Sequence, residues 1–492
     1  SEAIELLIQA WTRVKTEAGT LSSSARRLYD QVAEFVKQAD RWEVLEPILV
    51  EQLAAHELHL GANHPDTAQA ALQLAQLYER LGRPSEALAL MDRNQRTLRD
   101  HVARLLPLLS EQEQGDFLKE HFRSSLLAAF AMAVRLQEHP DAATISAGWI
   151  LNAKGAATRV LAERARTVAS TQDPAVRSIA SELAETRNRI SSVSLVPAQT
   201  PDIGLNRKSE ERSELAQLRK RESELSWQLG QAGWTELRQE PWTDLDDVRQ
   251  RIPEDSVLIE LTVTTPLGRL KDRVTENFGR VSRIGIDSGD PKVIAWIIPP
   301  AGQGEVRMIV LCQQWETLSR PLAHFHEILR GQIISNHPEA EIARCLQEMS
   351  TYLTEPLPAD VWEKKKWLIS PDHRLWTAPW AAFPGKEKGF LVQSHEVRYL
   401  LSGRDLLPLA SLDHQSPPMI VAAPDYGAAN DDGNGQDGGS ESGPFVPLPG
   451  TAEEARSVLP YLRELAGDEP KVYLGAEAEE AIVKTAKRPQ VA

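Results

Sequence analysis

The chain has 492 residues, 41% hydrophobic and 25% charged, with a net charge of -15 and only two cysteines. That length suits roughly three domains of ~150 residues each. No apolar run nears the ~20 residues of a membrane span, a strongly acidic chain repels phosphate backbones, and two cysteines build neither a disulfide framework nor a cysteine-based zinc site. Neither a membrane nor a nucleic-acid partner is expected, and a reducing cytoplasm is the expected location.

The start, Ser1–Leu7, has no basic stretch leading into an apolar one, so no secretory signal is expected. It lacks an initiator Met, so the natural N-terminus is expected to be missing or processed. Residues 1–155 read as helices. Pro65 suits a first helical turn, and Leu74, Leu77, Tyr78 and Leu81 share one face. Gly82 closes that helix, Ser85 opens the next, and Leu88 and Met91 continue the buried stripe. An upstream copy aligns Phe35-Val36 with Leu77-Tyr78, Arg41 with Arg83 and Ile48 with Leu90, each 42 residues apart. A fixed period of this kind marks stacked helix pairs. His64-Pro65, Thr67-Ala68, Leu74-Ala75-Gln76-Leu77-Tyr78, Gly82 and Glu86-Ala87 resemble a tetratricopeptide repeat of the kinesin-light-chain type, which implies an α-helical solenoid.

Residues 156–239 read as a helical connector. Two long helices, 174–195 and 208–230, flank Pro197–Pro201. Leu215, Leu218, Leu225 and Leu229 keep a register broken by Glu222, which allows a coiled-coil hairpin, although packing on the following domain is the expectation. The basic cluster from Arg207-Lys208 to Arg219-Lys220-Arg221 is interleaved with glutamates and reads as a solvated face.

From 240 onward strands alternate with helices, which predicts a layered α/β domain with a mostly parallel sheet. Val257–Val263 reads as a buried strand. Val293–Ile298 and Val306–Leu311 flank Pro299–Gly304 as a hairpin. A helix from Pro338 turns Ile342, Leu346, Met349 and Leu353 inward. Further strands are expected around Lys366–Ile369, Glu396–Leu400, Met419–Pro424 and Val472–Gly475. Thr451 with Glu454 suggests a capping box on a helix with Ala455, Val458, Leu459 and Leu462 inside. Residues 427–444, rich in Gly, Asp, Asn and Ser, read as a disordered loop.

The stretch Trp367-Leu368-Ile369-Ser370-Pro371-Asp372, then Leu375-Trp376 and Pro379-Trp380-Ala381-Ala382-Phe383-Pro384, resembles the CHAT domain, a caspase-like domain often fused to tetratricopeptide repeats. Ile420–Tyr426, Leu448–Ala455 and Gly475 before an Ala-rich helix also match, and Gly148–Gly155 looks like the linker of bacterial members joining the two parts. The family pattern has Pro-Asp-Gly and then a second apolar strand; His373 stands where that Gly is common. The resemblance implies cysteine proteolysis, a His activating a Cys on the next strand. It also implies that the His strand follows the element ending at Lys487–Ala492, so the chain is expected to stop short of both residues.

The remaining candidates have plainer readings. Cys312, with His324 or His326 as base, reads as a strand-end cysteine, and Cys345 as a core cysteine. His324/His326 and His56/His59 offer two metal ligands each without a third. Ser370, Asp372 and His373 are neighbours in a turn rather than a triad, and Gly302 and Gly304 lack the context of a phosphate loop. The acidic run Asp431–Glu441 reads as a solvated insertion, with cation binding or activating cleavage as alternatives. Tyr78, Arg80 and Arg93 suggest a groove for a partner peptide, or packing on neighbouring helices.

The expectation is thus a helical solenoid at 1–155, a connector at 156–239, and the front of a caspase-like α/β domain at 240–492. No catalytic, metal or cofactor residue is assigned. The chain is expected to be an inactive regulatory and targeting region of a cysteine peptidase, with a non-catalytic interaction scaffold as the alternative.

Overall fold

A computed structural model describes residues 2–20, 22–194, 205–232, 242–264, 291–332, 337–386, 389–407, 416–425 and 450–486. Helix α1 (Glu2–Ala18) packs on α2 (Ser23–Ala39) through Ile4, Trp11, Tyr29, Val32 and Val36. Next come α3 (Glu46–Leu60), α4 (Pro65–Arg80) and α5 (Pro84–Leu105).

The 42-residue offset is written into the backbone. Asp40 closes α2 with φ 52°, and Gly82 follows α4 with φ 70° at the equivalent position. Arg41 and Arg83 come next with φ -108° and -110°, and their N–H groups donate to Val36 O (3.1 Å) and Tyr78 O (2.9 Å). Such a left-handed turn satisfies carbonyls that a helix end leaves open. The copy is imperfect, because Phe35 is 45% exposed while its counterpart Leu77 is buried.

The chain continues through α6 (Glu111–Phe117), α7 (Arg123–Arg135), α8 (Ala142–Ala153) and α9 (Ala156–Ser170). The expected limit at 155/156 falls at Gly155, φ 66°, between α8 and α9; that at 239/240 lies outside the described residues. Helices α10 (Pro174–Ser194) and α11 (Leu205–Ala232) form an antiparallel hairpin around Val176, Leu183, Leu225 and Leu229. Glu222, the break in the leucine register, pairs with Arg187 across it at 2.9 Å. Among the described residues this pair packs mainly on itself, on Leu106–Leu108 and on α9 rather than on the following domain. A Cβ at Gly230 would stand 2.4 Å from Pro107 O, so only glycine permits that approach. The expected loop at Pro197–Pro201 lies outside the described residues.

After α12 (Leu245–Arg249), β1 (Ser256–Val263), β2 (Val293–Ile298) and β3 (Arg307–Cys312) precede α13 (Trp315–Leu329) and α14 (Pro338–Leu353). Then follow α15 (Ala359–Trp362), β4 (Lys366–Ser370) and β5 (Glu396–Tyr399). The strand order is β3-β2-β1-β4-β5. The sheet is mixed rather than mostly parallel: β1–β2 and β2–β3 run antiparallel, β1–β4 and β4–β5 parallel. The tight Pro299–Gly304 turn forces β2 and β3 to oppose, whereas the crossover through α13 and α14 lets β4 run with β1. The expected second strand after Asp372 is instead a pair of 3-10 turns, His373–Thr377 and Trp380–Ala382.

Strand residues alternate between two cores. Val257, Ile259, Leu261, Ala295, Ile297, Trp367 and Ile369 pack with Leu318, Leu322, Leu346, Met349 and Leu353 of α13 and α14. Leu258, Ile294, Trp296, Ile298 and Leu368 face the other way and join the core of the helices, with Phe130, Trp149 and Leu151. Helix α8 is therefore buried on several sides, and Trp296 Nε1 donates to its Ser146 Oγ at 2.8 Å. Helices and sheet thus form one compact unit, Ser1–Leu407.

The second unit, Pro408–Ala492, holds β6 (Met419–Pro424), α16 (Thr451–Ala466), β7 (Lys471–Gly475) and α17 (Glu480–Thr485), with β6 and β7 parallel. Gly450, not Thr451, is the N-cap of α16, and no side-chain cap bond forms. Ala455 and Leu462 are buried as expected, but Val458 is 45% exposed, since a two-stranded ladder covers only a narrow face of the helix. The loop read at 427–444, with its acidic run, lies outside the described residues. Among the described residues no helix is long and apolar enough to cross a membrane.

Candidate functional site

The sequence candidates do not converge. Cys312 is buried at the end of β3, its Sγ 3.0 Å from Gln314 O and 3.2 Å from Thr317 Oγ1. Cys345 is buried on α14, and burial first, then Glu348, pushes its thiol pKa up, away from the thiolate a nucleophile needs. No hydrogen bond joins either thiol to a histidine among the described residues. His324 Nε2 lies 3.5 Å from Glu341, while His326 Nε2 meets Thr377 O at 3.0 Å, so the two rings serve different neighbours. His56 Nδ1 lies 2.7 Å from Gln52 O, and His59 is exposed.

Ser370, Asp372 and His373 also separate. Asp372 Oδ2 accepts from Thr262 Oγ1 at 2.8 Å, holding the end of β1. His373 stands at φ 52° with its ring edge-on to Trp315, so it adopts the left-handed turn for which the family pattern supplies glycine. Gly302 and Gly304 shape the β2–β3 turn, which Arg249 straps by donating to Pro299 O, Pro300 O and Gly304 O.

On α4 and α5 the expected groove residues are engaged. Arg83 lies 4.0 Å over the Tyr78 ring, Arg80 4.4 Å over Trp42, and Arg93 pairs with Glu57 at 2.5 Å. These contacts fix helix against helix. In the basic cluster, Arg221 forks onto Glu182 at 2.7 and 2.6 Å.

A different constellation forms where β1 and β4 run side by side. Glu260 and Ser370 are register partners, so both side chains project from the same face. Lys154, just beyond α8, reaches them: its Nζ donates to Glu260 Oε2 (2.8 Å), Ser370 O (2.6 Å) and Ser370 Oγ (2.8 Å). All three ammonium protons are used. Ser370 Oγ in turn donates to Leu401 O at 3.1 Å, and Gly403 N–H donates to Glu260 Oε1 at 2.5 Å. The Lys154 side chain is 11% exposed and that of Glu260 0%. In such a site an ion pair persists because both carboxylate oxygens and all three ammonium protons have partners. A serine beside a lysine invites a nucleophilic reading, but this lysine is bound to a carboxylate and the hydroxyl proton points into a carbonyl. The arrangement clasps; it does not activate.

The segment after β5 closes the clasp. Ser402 Oγ donates to Leu151 O at 3.0 Å, and Asp405 Oδ2 accepts from Leu401 N (2.9 Å) and Ser402 N (3.1 Å). A Cβ at Gly403 would meet Leu258 Cδ2 at 2.4 Å and Leu151 Cδ2 at 2.8 Å, so the helix, strand and turn close on a bare glycine. Sequence reasoning missed this site. Its one visible sign was Glu260, a carboxylate inside an apolar strand.

No curated protein matches the chain. Residues 343–492 match the CHAT domain family. The match begins inside α14, takes in β4 to β7, and marks this part of the chain as a caspase-like, peptidase-related region.

Proposed function

We propose that this chain is the regulatory and targeting portion of a caspase-like cysteine peptidase of the TPR–CHAT kind. Its repeated helix pairs act as tetratricopeptide-like repeats that bind a protein partner, and the peptidase-related region responds to that binding. Its two buried, unbridged cysteines suit a reducing cytoplasm. The main support is Lys154: an ammonium at the end of a repeat-side helix completes the hydrogen bonding of Glu260 in the sheet. A shift of α8 that withdrew Lys154 would leave a buried carboxylate unpaired, so helix position and sheet order are energetically linked. Hydrogen exchange tests the link. Lys154→Met should speed exchange in 256–263 and 400–406, and unchanged exchange there would sink the proposal.

The chain by itself is expected to be inactive on peptides. Incubated with an unstructured substrate, it should show no thiol-dependent cleavage. Cutting abolished by Cys312→Ala would overturn this. The alternative, a scaffold without catalytic purpose, draws on the absence of a thiol–imidazole contact among the described residues. A partner that binds the helices yet leaves exchange in 256–263 and 400–406 untouched would favour the scaffold.

A further inference from the structure

The junction of α9, α10 and α11 buries a cation with no counter-ion in hydrogen-bond contact. Arg164 on α9 is 4% exposed. Its Nη2 donates to Pro107 O at 2.7 Å and Leu109 O at 3.0 Å, while its Nε and Nη1 are buried without a partner. Pro107 O is also the atom against which Gly230 of α11 closes. One turn back from Gly230 on the same face is Ser226, 0% exposed, its hydroxyl also unpartnered. A further turn back is Glu222, which takes Nε of Arg187, while Arg187 Nη2 is buried and unpartnered. Two guanidiniums and a hydroxyl therefore hold open donors within a short stretch of three packed helices.

Buried donors of this kind are normally matched, and a buried guanidinium without a carboxylate is costly. Water would satisfy the hydrogen bonds but not the charge. An anion satisfies both. Burial first, then the like charge of Arg187, pushes Arg164 down to about 10, against the pull of Glu222 and Glu111, so it remains a cation at neutral pH. The Arg187 side chain is 33% exposed, so of the three groups it is the one in reach of solvent.

We propose that this junction is a binding site for a small oxyanion of the phosphate class, held by Arg164 and Arg187 with the Ser226 hydroxyl as a third donor. It is independent of the peptidase-related reading. Tetrahedral oxyanions offer several acceptors at once, which suits paired guanidiniums. Glu222 is the built-in competitor, since it already occupies one edge of Arg187.

The test uses the full chain and inorganic phosphate, with chloride at equal ionic strength as the control. Calorimetry should find one phosphate per chain, and phosphate should raise the melting temperature more than chloride does. Arg164→Gln should abolish the effect, and Ser226→Ala should weaken binding about tenfold. Glu222→Gln should tighten binding by freeing Arg187, a change that water-filled donors would not produce. If Arg164→Gln fails to fold, the other two variants decide. No phosphate effect beyond chloride, or affinity unmoved by Ser226→Ala and Glu222→Gln, would overturn the proposal.

Discussion

At Lys154 and Glu260 a single contact carries more than its length suggests. Removing one partner leaves a charge in an interior that cannot solvate it. Lys154→Met should therefore cost about 3–5 kcal/mol, measured by denaturant unfolding. Adding Glu260→Leu to it should recover much of the loss, because the stranded carboxylate is gone. Gly403 tests the same place sterically. Gly403→Ala puts a methyl into Leu258 and Leu151 and should cost about 1–3 kcal/mol. At His373 the strain is conformational: His373→Gly should be tolerated within about 1 kcal/mol, while a β-branched Val at φ 52° should cost about 1–2 kcal/mol. Cys345 gives the pH dependence. Its thiol pKa is raised in the fold, so its contribution is fully present below the unfolded thiol value and fades as pH rises past it. Stability should fall above about pH 8.5, and less so in Cys345→Ala. A flat profile common to both proteins would show that the thiol is not the cause.

Among the elements, the helix pairs were the most legible. Periodicity placed α4 and α5, and the structure carries the 42-residue offset further by making Asp40 and Gly82 equivalent left-handed turn residues. Asp is tolerated there because Trp42 Nε1 donates to its side chain at 2.7 Å. The hairpin of β2 and β3 was equally readable, since a Pro/Gly turn between two β-branched runs leaves little choice. Parallel or antiparallel pairing was not, because strand direction follows from what the crossover packs against. The capping box at Thr451 failed for a local reason: the helix starts one residue earlier in space than the pattern assumed, with Gly450 at the cap. Tyr78, Arg80 and Arg93 allowed either a binding groove or packing on neighbouring helices, and their contacts show the packing.

For the molecule as a whole, the telling feature is the second face of the sheet. Leu258, Ile294, Trp296, Ile298 and Leu368 share one core with the N-terminal helices, Phe130, Trp149 and Leu151 among them, joined by Leu245 and Val248 of α12. Burying each such side chain contributes roughly 1.5–3 kcal/mol, so a sheet stripped of the helices loses a large part of its driving force. Residues 242–407 expressed alone should show no cooperative unfolding and should bind a hydrophobic dye. A sharp melting transition for that piece would mean the helices merely decorate an independent domain.

Sequence alone placed most of the helices and strands and pointed to a caspase-like pattern after residue 240, of which the family match covers 343–492, because periodicity, turn chemistry and a short motif are local properties. Only the tertiary structure decided that α8 serves as a layer over the sheet, that Lys154 finds Glu260 across 106 positions, and that Arg164 is left with open donors. Long-range pairing depends on which surfaces meet when the chain packs, and one residue's chemistry does not name its distant partner.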